Sequence, residues 1–379
     1  MPLKILQTNF HRDWNGQVAR IFLLSRELRR RGHEVVIAAP AESALIERAR
    51  AAGIPVFTAV RFPKMGRPIA FLRDAAALAR LIRAERFDWL HTHGSQDTWC
   101  TIAAARLAGR PAPILMTRHN TKPVRFHSFN RWLYGRAIDR LVVVSGGALE
   151  NYRRFFDAGL LAPDEISVIH SSIDMERFGR APDAARIRRE LGVGERTPLI
   201  GLIGRVSKDK GHEVLLAAAP RILREFPEAI FVFAGKEGRI LGPIIRETVR
   251  KKGLERSVRM LGFRADVLDI TAALDVSVLP AVGTDSSPAV LKEARLLGKP
   301  IVASRIGGLA EIVLDGAGIL VTPGNADELA EAIIATLRGR DGGEDPAREF
   351  PQQFTPGFMC DAYLRVYGEI RNKERRADG

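Results

Sequence analysis

Cysteine is nearly absent. Cys100 and Cys360 stand in no CxxC or metal-ligand spacing, so a disulfide between them is not expected, and the pattern fits a reducing cytoplasm with thiols as small core residues. Long apolar runs are missing too: nothing approaches ~18 uninterrupted apolar residues, so no spanning helix is expected. The chain opens directly on Leu3-Lys4-Ile5-Leu6-Gln7, without the basic segment and apolar core of a secretory signal. No internal repeat or low-complexity tract is evident. Acidic residues are scarce in the first half, where Met1 to His170 holds 26 Lys plus Arg against 14 Asp plus Glu. The remainder holds 32 against 30, so the net charge of +14 lies almost wholly in that half. Such a field attracts anionic membranes, phosphorylated substrates or nucleic acid.

At 379 residues the chain exceeds the size at which a single core stops growing, ~250 to 300 residues, and predicts two domains. Apolar blocks alternate with amphipathic ones and glycines mark their junctions, the pattern of a layered α/β protein. Lys4 to Thr8 reads as a strand, Asn9 to Gln17 as a loop, Val18 to Arg31 as a helix stopped by Gly32, and Glu34 to Ala39 as the next strand. That is a Rossmann-like opening, with Gly16 where backbone can approach a ligand closely. Two later strands end in His91-Thr92-His93-Gly94 and Arg118-His119-Asn120. Ligands of open α/β sheets bind beyond the carboxyl ends of strands, so these histidines fall where a site forms. For His91 a structural role is expected. Lys122 to Arg140 adds five cations around Phe126, Phe129, Trp132 and Tyr134.

Arg61 to Phe87 mixes cations with Phe62, Met65, Ile69, Phe71 and Leu72. It reads either as a helix with a solvated face or as a patch resting on anionic lipid.

A second Rossmann-like half begins at Leu199 to Gly204, followed by Arg205 and, five residues later, Lys210. Two cations there stand beside whatever sits over the sheet, and a diphosphate needs such partners. Val276 to Glu311 then reads strand, loop, helix. Ser287 suits an N-cap and Pro288 a first helical position, leaving unpaired N–H groups that attract phosphate. Asp285 and Glu293 bracket this helix start, too far apart for one helix face and suited to two parts of one elongated ligand. Val258 to Leu261 reads as a further strand, ending in the loop Gly262-Phe263-Arg264-Ala265-Asp266. Phe358 to Ile370 reads as a terminal helix, Gly339 to Glu349 as a mobile loop and Arg371 to Gly379 as a frayed tail.

The order Gly-Arg-x4-Lys, Asp285-x7-Glu293, Gly298-Lys299-Pro300-Ile301-Val302-Ala303-Ser304 and Gly307-Gly308-x2-Glu311 resembles the retaining glycosyltransferases of family 4. The likeness covers almost the whole chain, strongest from Gly201 to Glu328. Two departures stand out: Asp285 where the family has Glu, and His170-Ser171-Ser172 where relatives read Pro-Asn-Gly. The resemblance implies a GT-B architecture: residues 1–175 binding acceptor, 186–350 binding a nucleotide sugar, 351–379 a helix returning to the first domain, and a cleft between the two. It implies that Arg205 and Lys210 hold the leaving diphosphate, that Asp285 and His119 orient the sugar and that Glu293 holds the ribose. Gly16, His93, Gly204, Ser286, Ser287, Ala289 and Val290 complete the donor set, Gly262 to Asp266 is the candidate nucleobase loop, and Lys122 to Arg140 is read as an acceptor wall. No metal or other cofactor is expected, because no Asp-x-Asp motif stands in a suitable loop.

The expected function is hexosyl transfer, with retention, from a nucleotide-diphosphate sugar to a glycan or glycolipid acceptor in lipopolysaccharide or other envelope polysaccharide synthesis. The expected location is cytoplasmic, peripheral on the membrane, with an anionic lipid surface as partner and no nucleic acid. A non-hydrolysing UDP-sugar 2-epimerase of the same architecture and a catalytically inactive relative are the alternatives.

Overall fold

The computed structural model describes residues 2–64, 66–283, 285–313, 318–339 and 350–377. Most of the predicted Gly339 to Glu349 loop lies outside them. The chain falls into two compact units, Met1–Asp174 with Gln352–Gly379, and Met175–Pro351.

The first unit is built on seven parallel strands: β1 (Lys4–Thr8), β2 (Glu34–Ala38), β3 (Val56–Phe57), β4 (Trp89–Thr92), β5 (Ile114–Arg118), β6 (Arg140–Val143) and β7 (Ile166–Val168). Their spatial order is β3-β2-β1-β4-β5-β6-β7. Strands buried on both faces need helices on both faces, and two apolar cores result, one on each side of the sheet. Strand order reverses between β1 and β4, the point at which such sheets open a crevice beyond their strand ends.

The helix after β1 runs Gly16–Arg30, two residues earlier than its apolar spacing suggests, because the Asn15 side chain accepts the Val18 N–H and caps it there. The terminal helix, Pro356–Ala377, stays helical through most of the segment expected to fray. It returns Met359, Cys360, Tyr363 and Tyr367 to the core beneath the helix Gly16–Arg30. Cys100 lies in the opposite core, and both thiols are free.

Six parallel strands make the second unit: β8 (Leu199–Ile203), β9 (Ile230–Ala234), β10 (Val258–Gly262), β11 (Val276–Leu279), β12 (Ile301–Ser304) and β13 (Gly318–Val321). Their order, β10-β9-β8-β11-β12-β13, reverses between β8 and β11. The same winding therefore opens a second crevice, beyond the ends of β8 and β11. Residues 175–185 belong to this unit.

Candidate active site

In the second unit the chain turns sharply after β8. Gly204 and then Gly211 take positive φ on either side of a short 3-10 turn, Lys208–Lys210. At Gly211 the conformation is obligatory: its φ is +78° and a Cβ would fall on the Pro280 carbonyl. The β8 loop is thereby pressed against the loop that leaves β11, and the Asp209 carbonyl accepts the Val282 N–H at 3.0 Å.

This contact brings Lys210 to Asp285, and their side chains form an ion pair. The Asp285 carbonyl in turn accepts the Gly308 N–H at 3.1 Å, fixing the loop to the segment after β12. Arg205 projects to solvent at the end of β8 and makes no ion pair among the described residues.

The helix after β11 begins at Ala289, one turn position later than predicted. Pro288 is its N-cap and no side chain caps it. Ser287 does not serve as the cap, because its Oγ accepts from Lys292 Nζ at 2.5 Å. The helix start still carries N–H groups with no side-chain partner, and Ser286 is buried beside it while Ala289 is exposed and Val290 packs inward. Glu293 is 4% exposed and accepts from Arg177 Nη1 at 2.5 Å.

At the end of β10, Phe263 is 77% exposed while Arg264 grips the Asp266 carboxylate through two hydrogen bonds of 2.7 and 2.8 Å. That fork, with Arg186 behind it, holds the Asp266 carboxyl well below the usual carboxylate range. The loop is thus a rigid, charge-satisfied platform presenting one aromatic ring.

In the first unit the strand-end histidines form a chain. His93 Nδ1 lies 3.0 Å from His119 Nε2, and His93 Nε2 lies 2.5 Å from Gln7 Oε1. With Gln7 Oε1 accepting, His93 carries its proton on Nε2 and accepts the Nε2 proton of His119, which leaves His119 Nδ1 as an acceptor. Burial first, and nearby positive groups second, push both imidazoles well below their ordinary value, so they are neutral at pH 7. His91 is structural: Nδ1 meets the Tyr367 hydroxyl at 2.7 Å and Nε2 the Thr117 hydroxyl at 2.8 Å.

Asp97, fully buried at the start of the next helix, accepts the N–H groups of His93 and Gly94 and the Thr8 hydroxyl. Desolvation pushes its carboxyl up to about 7. Gly16 opens its helix with open space where a Cβ would stand. Of the aromatics in the expected acceptor wall, Lys122 to Arg140, Tyr134 is buried, Phe126 and Trp132 are partly buried, with Phe126 against Phe155, and Phe129 is strongly exposed.

The structure therefore brings together Gly204, Arg205, Lys210, Asp285, Ser286, Ser287, Ala289, Val290 and Glu293 within one unit, and His93 with His119 within the other. Arg177, Asp97, Gln7 and His212 were missed by sequence reasoning. His212, buried directly after Lys210 and Gly211, has both ring nitrogens without hydrogen-bond partners and is pushed down to about 4 by desolvation and by Lys210. Its place next to the lysine motif was the available signal. Among the described residues no cluster of three or more His, Cys, Asp or Glu is placed to hold a metal ion, and no helix is long and apolar enough to cross a membrane.

Two family profiles match this chain: "Glycosyltransferase Family 4" over residues 14–177 and "Glycosyl transferases group 1" over residues 197–339. Among curated proteins, an Escherichia coli UDP-Gal:alpha-D-GlcNAc-diphosphoundecaprenol alpha-1,3-galactosyltransferase is 26% identical over 72% of this chain and 73% of its own length. Glycogen synthase of Mycobacterium tuberculosis is 29% identical over 81% and 75%. A D-inositol 3-phosphate glycosyltransferase of Corynebacterium aurimucosum is 30% identical over 62% and 58%. Among solved structures, a Rickettsia africae glycosyltransferase superposes with a TM-score of 0.83 at 19% identity, covering 97% of this chain and 98% of its own. Anabaena HepE in complex with UDP-glucose gives 0.80 at 22%, covering 97% and 100%.

Proposed function

Because the chain belongs to the family 4, group 1 glycosyltransferases and has their GT-B fold, we propose that it moves a hexosyl unit from a nucleoside diphosphate sugar to a glycan or lipid-linked acceptor, with retention of configuration. The observation that carries this reading is the Lys210–Asp285 ion pair beside the uncapped start of the helix Ala289–Leu296: a cation, an acid and a helix N-terminus beyond the ends of two adjacent strands. A diphosphate is recognised by the first and third of these, and a sugar hydroxyl by the second.

In the reaction the bond from the anomeric carbon to the diphosphate breaks and an acceptor hydroxyl attacks from the same face. Its proton passes to a donor phosphate oxygen, and the nucleoside diphosphate leaves. Negative charge grows on the phosphates, so Arg205, Lys210 and the helix start supply the electrostatic stabilisation. Asp285 and His119 are assigned to the sugar, with His93 setting the proton position of His119. Glu293 is assigned to the ribose, and Gly16, Gly204, Ser286, Ser287, Ala289 and Val290 to the donor's surroundings. Phe263 is assigned to the nucleobase face. No metal is assigned.

HepE binds UDP and UDP-glucose, and the E. coli relative is named for a UDP-sugar donor and a lipid diphosphate acceptor, which favours a UDP-hexose and an acceptor at a membrane. The positive excess of the first unit suits an anionic cytoplasmic membrane surface. Envelope polysaccharide synthesis, including lipopolysaccharide, is the setting these features favour. Incubation with radiolabelled UDP-hexoses and bacterial membranes tests it: label entering the glycolipid fraction with release of UDP supports transfer, whereas isomerised donor without transfer would point to the epimerase alternative.

A further inference from the structure

Beyond the carboxyl ends of β1 and β3, the first unit holds a cavity of about 710 Å3 lined by Arg12, Asp13, Arg61, Lys64, Arg67 and Arg73, among others. Two of these cations have carboxylates: Arg12 binds Glu42 at 2.7 Å and Arg73 binds Asp74 at 3.2 Å. Arg61, Lys64 and Arg67 form no ion pair among the described residues, although Glu42 also feels the charge of Arg61.

Three features at this place are unfavourable for the protein by itself. Five cations, Arg12, Arg61, Lys64, Arg67 and Arg73, converge on one cavity whose lining holds a single carboxylate, Asp13. Arg67 immediately precedes the helix Pro68–Glu85, whose start has no side-chain cap and whose first turn has no acidic residue, so these cations face the positive end of a helix dipole. Phe62, buried, takes φ +50°, a left-handed conformation that bulky residues avoid. Asp74, itself fully buried, enforces that turn by accepting the N–H groups of Arg61 at 2.6 Å and of Phe62 at 2.9 Å. A strained turn held by a buried carboxylate is a device for keeping Arg61 over the cavity. One turn along the helix, Ile69 and Leu72 are 85% and 61% exposed, an apolar shoulder beside the cations.

We infer that this cavity binds a phosphate or diphosphate ester carried by the acceptor, with Arg61, Lys64 and Arg67 as its partners and Asp74 as the residue that positions Arg61. The inference rests on the glycosyl-transfer reading for the word acceptor, while the phosphate site itself does not depend on it. An anion relieves the like-charge repulsion and meets the helix dipole favourably. The phosphate can be that of a lipid-linked acceptor or of a soluble one.

Hydrogen–deuterium exchange on the full chain tests this with inorganic pyrophosphate and, separately, with phosphatidylcholine vesicles with and without phosphatidylglycerol. Pyrophosphate slows exchange over residues 60–73 in the parent. Combined Arg61→Gln, Lys64→Gln and Arg67→Gln weakens that response by roughly tenfold or more, the scale set by lost charge-assisted bonds. Arg250→Gln with Lys251→Gln, which removes exposed cations from the second unit, leaves it unchanged. Protection that extends over 69–72 with the anionic vesicles assigns the phosphate to a lipid; protection by pyrophosphate alone assigns it to a soluble acceptor. No protection of 60–73 by either probe, or an equal loss in the Arg250/Lys251 variant, overturns the site. UDP added to the same samples reads the second unit separately, so a failed donor reading and a failed phosphate site give different maps.

Discussion

The Lys210 ammonium and the Asp285 carboxylate neutralise each other at the ends of β8 and β11, 75 residues apart in sequence. If Lys210 holds diphosphate and Asp285 holds sugar, the two substitutions separate binding from turnover. Lys210→Ala lowers both nucleotide affinity and kcat. Asp285→Ala lowers kcat by about 100-fold to 1,000-fold, ~2.7 to 4 kcal/mol of transition-state stabilisation, while UDP affinity holds or improves because Lys210 is released. Titration calorimetry with UDP beside a transfer assay checks both. Turnover near the parental rate in Asp285→Ala would remove its assigned role.

Arg177 stands 116 residues before Glu293 and donates to it at 2.5 Å. A buried carboxylate proposed to hold a ribose needs its orientation fixed. Arg177→Ala is expected to raise the donor KM by roughly threefold to tenfold with little change in kcat, a modest effect because the Arg177 side chain is 41% exposed and screened. An unchanged KM would show that Glu293 is held by its other contacts.

Gly211 has no tolerated substitution. Alanine there combines a left-handed backbone with a Cβ on the Pro280 carbonyl, so Gly211→Ala lowers stability by at least ~2 kcal/mol and separates the Lys210 and Asp285 loops. Denaturant unfolding measures the first effect and loss of UDP binding the second. A fully stable Gly211→Ala protein would contradict the packing described for these loops.

Acid sensitivity follows from the buried groups of the first unit. His91 and His93 have folded values lowered well below 6.5, so below pH 6.5 the unfolded chain binds more protons and stability falls, by up to about 1.4 kcal/mol per pH unit for each. Asp97 works the other way: raised from 3.8 to about 7, it binds a proton in the folded state across that window, and its contribution grows as pH falls from 7. Asp97→Asn removes the opposing contribution. Between pH 7 and about 5.5 the variant should lose roughly 1 to 2 kcal/mol more than the parent in urea titrations. An identical pH dependence would mean that Asp97 is ionised in the folded protein.

Both sheets were legible because parallel strands buried on two faces leave plain apolar blocks, and the candidate site of the second unit because its residues fall in short strings: Gly204 to Lys210 follow one strand in one turn, and Asp285 to Glu293 sit in one loop and the helix after it. What stayed hidden depends on contacts between distant segments. Nothing local announces that Arg177 meets Glu293, or that Tyr363 and Tyr367 return to the Thr117 and His91 hydrogen bonds. The Ser287 cap was misread because Lys292, five residues on, competes for the same hydroxyl. The aromatics of Lys122 to Arg140 looked like a surface wall because interleaved cations suggest exposure, whereas Tyr134 and Phe126 turn towards the core, Arg140 is buried with them, and the other four cations stay outside.

Titration of the parent chain and of Lys210→Ala with a panel of UDP-, GDP-, ADP- and TDP-sugars, read by thermal shift, tests the central claim most directly. At ~100 times its dissociation constant a bound ligand adds about 2.7 kcal/mol of stability. The account predicts that one nucleotide sugar stabilises the parent and that Lys210→Ala loses most of the response. A parent unmoved by every donor, or a Lys210→Ala response equal to the parent's, would contradict it.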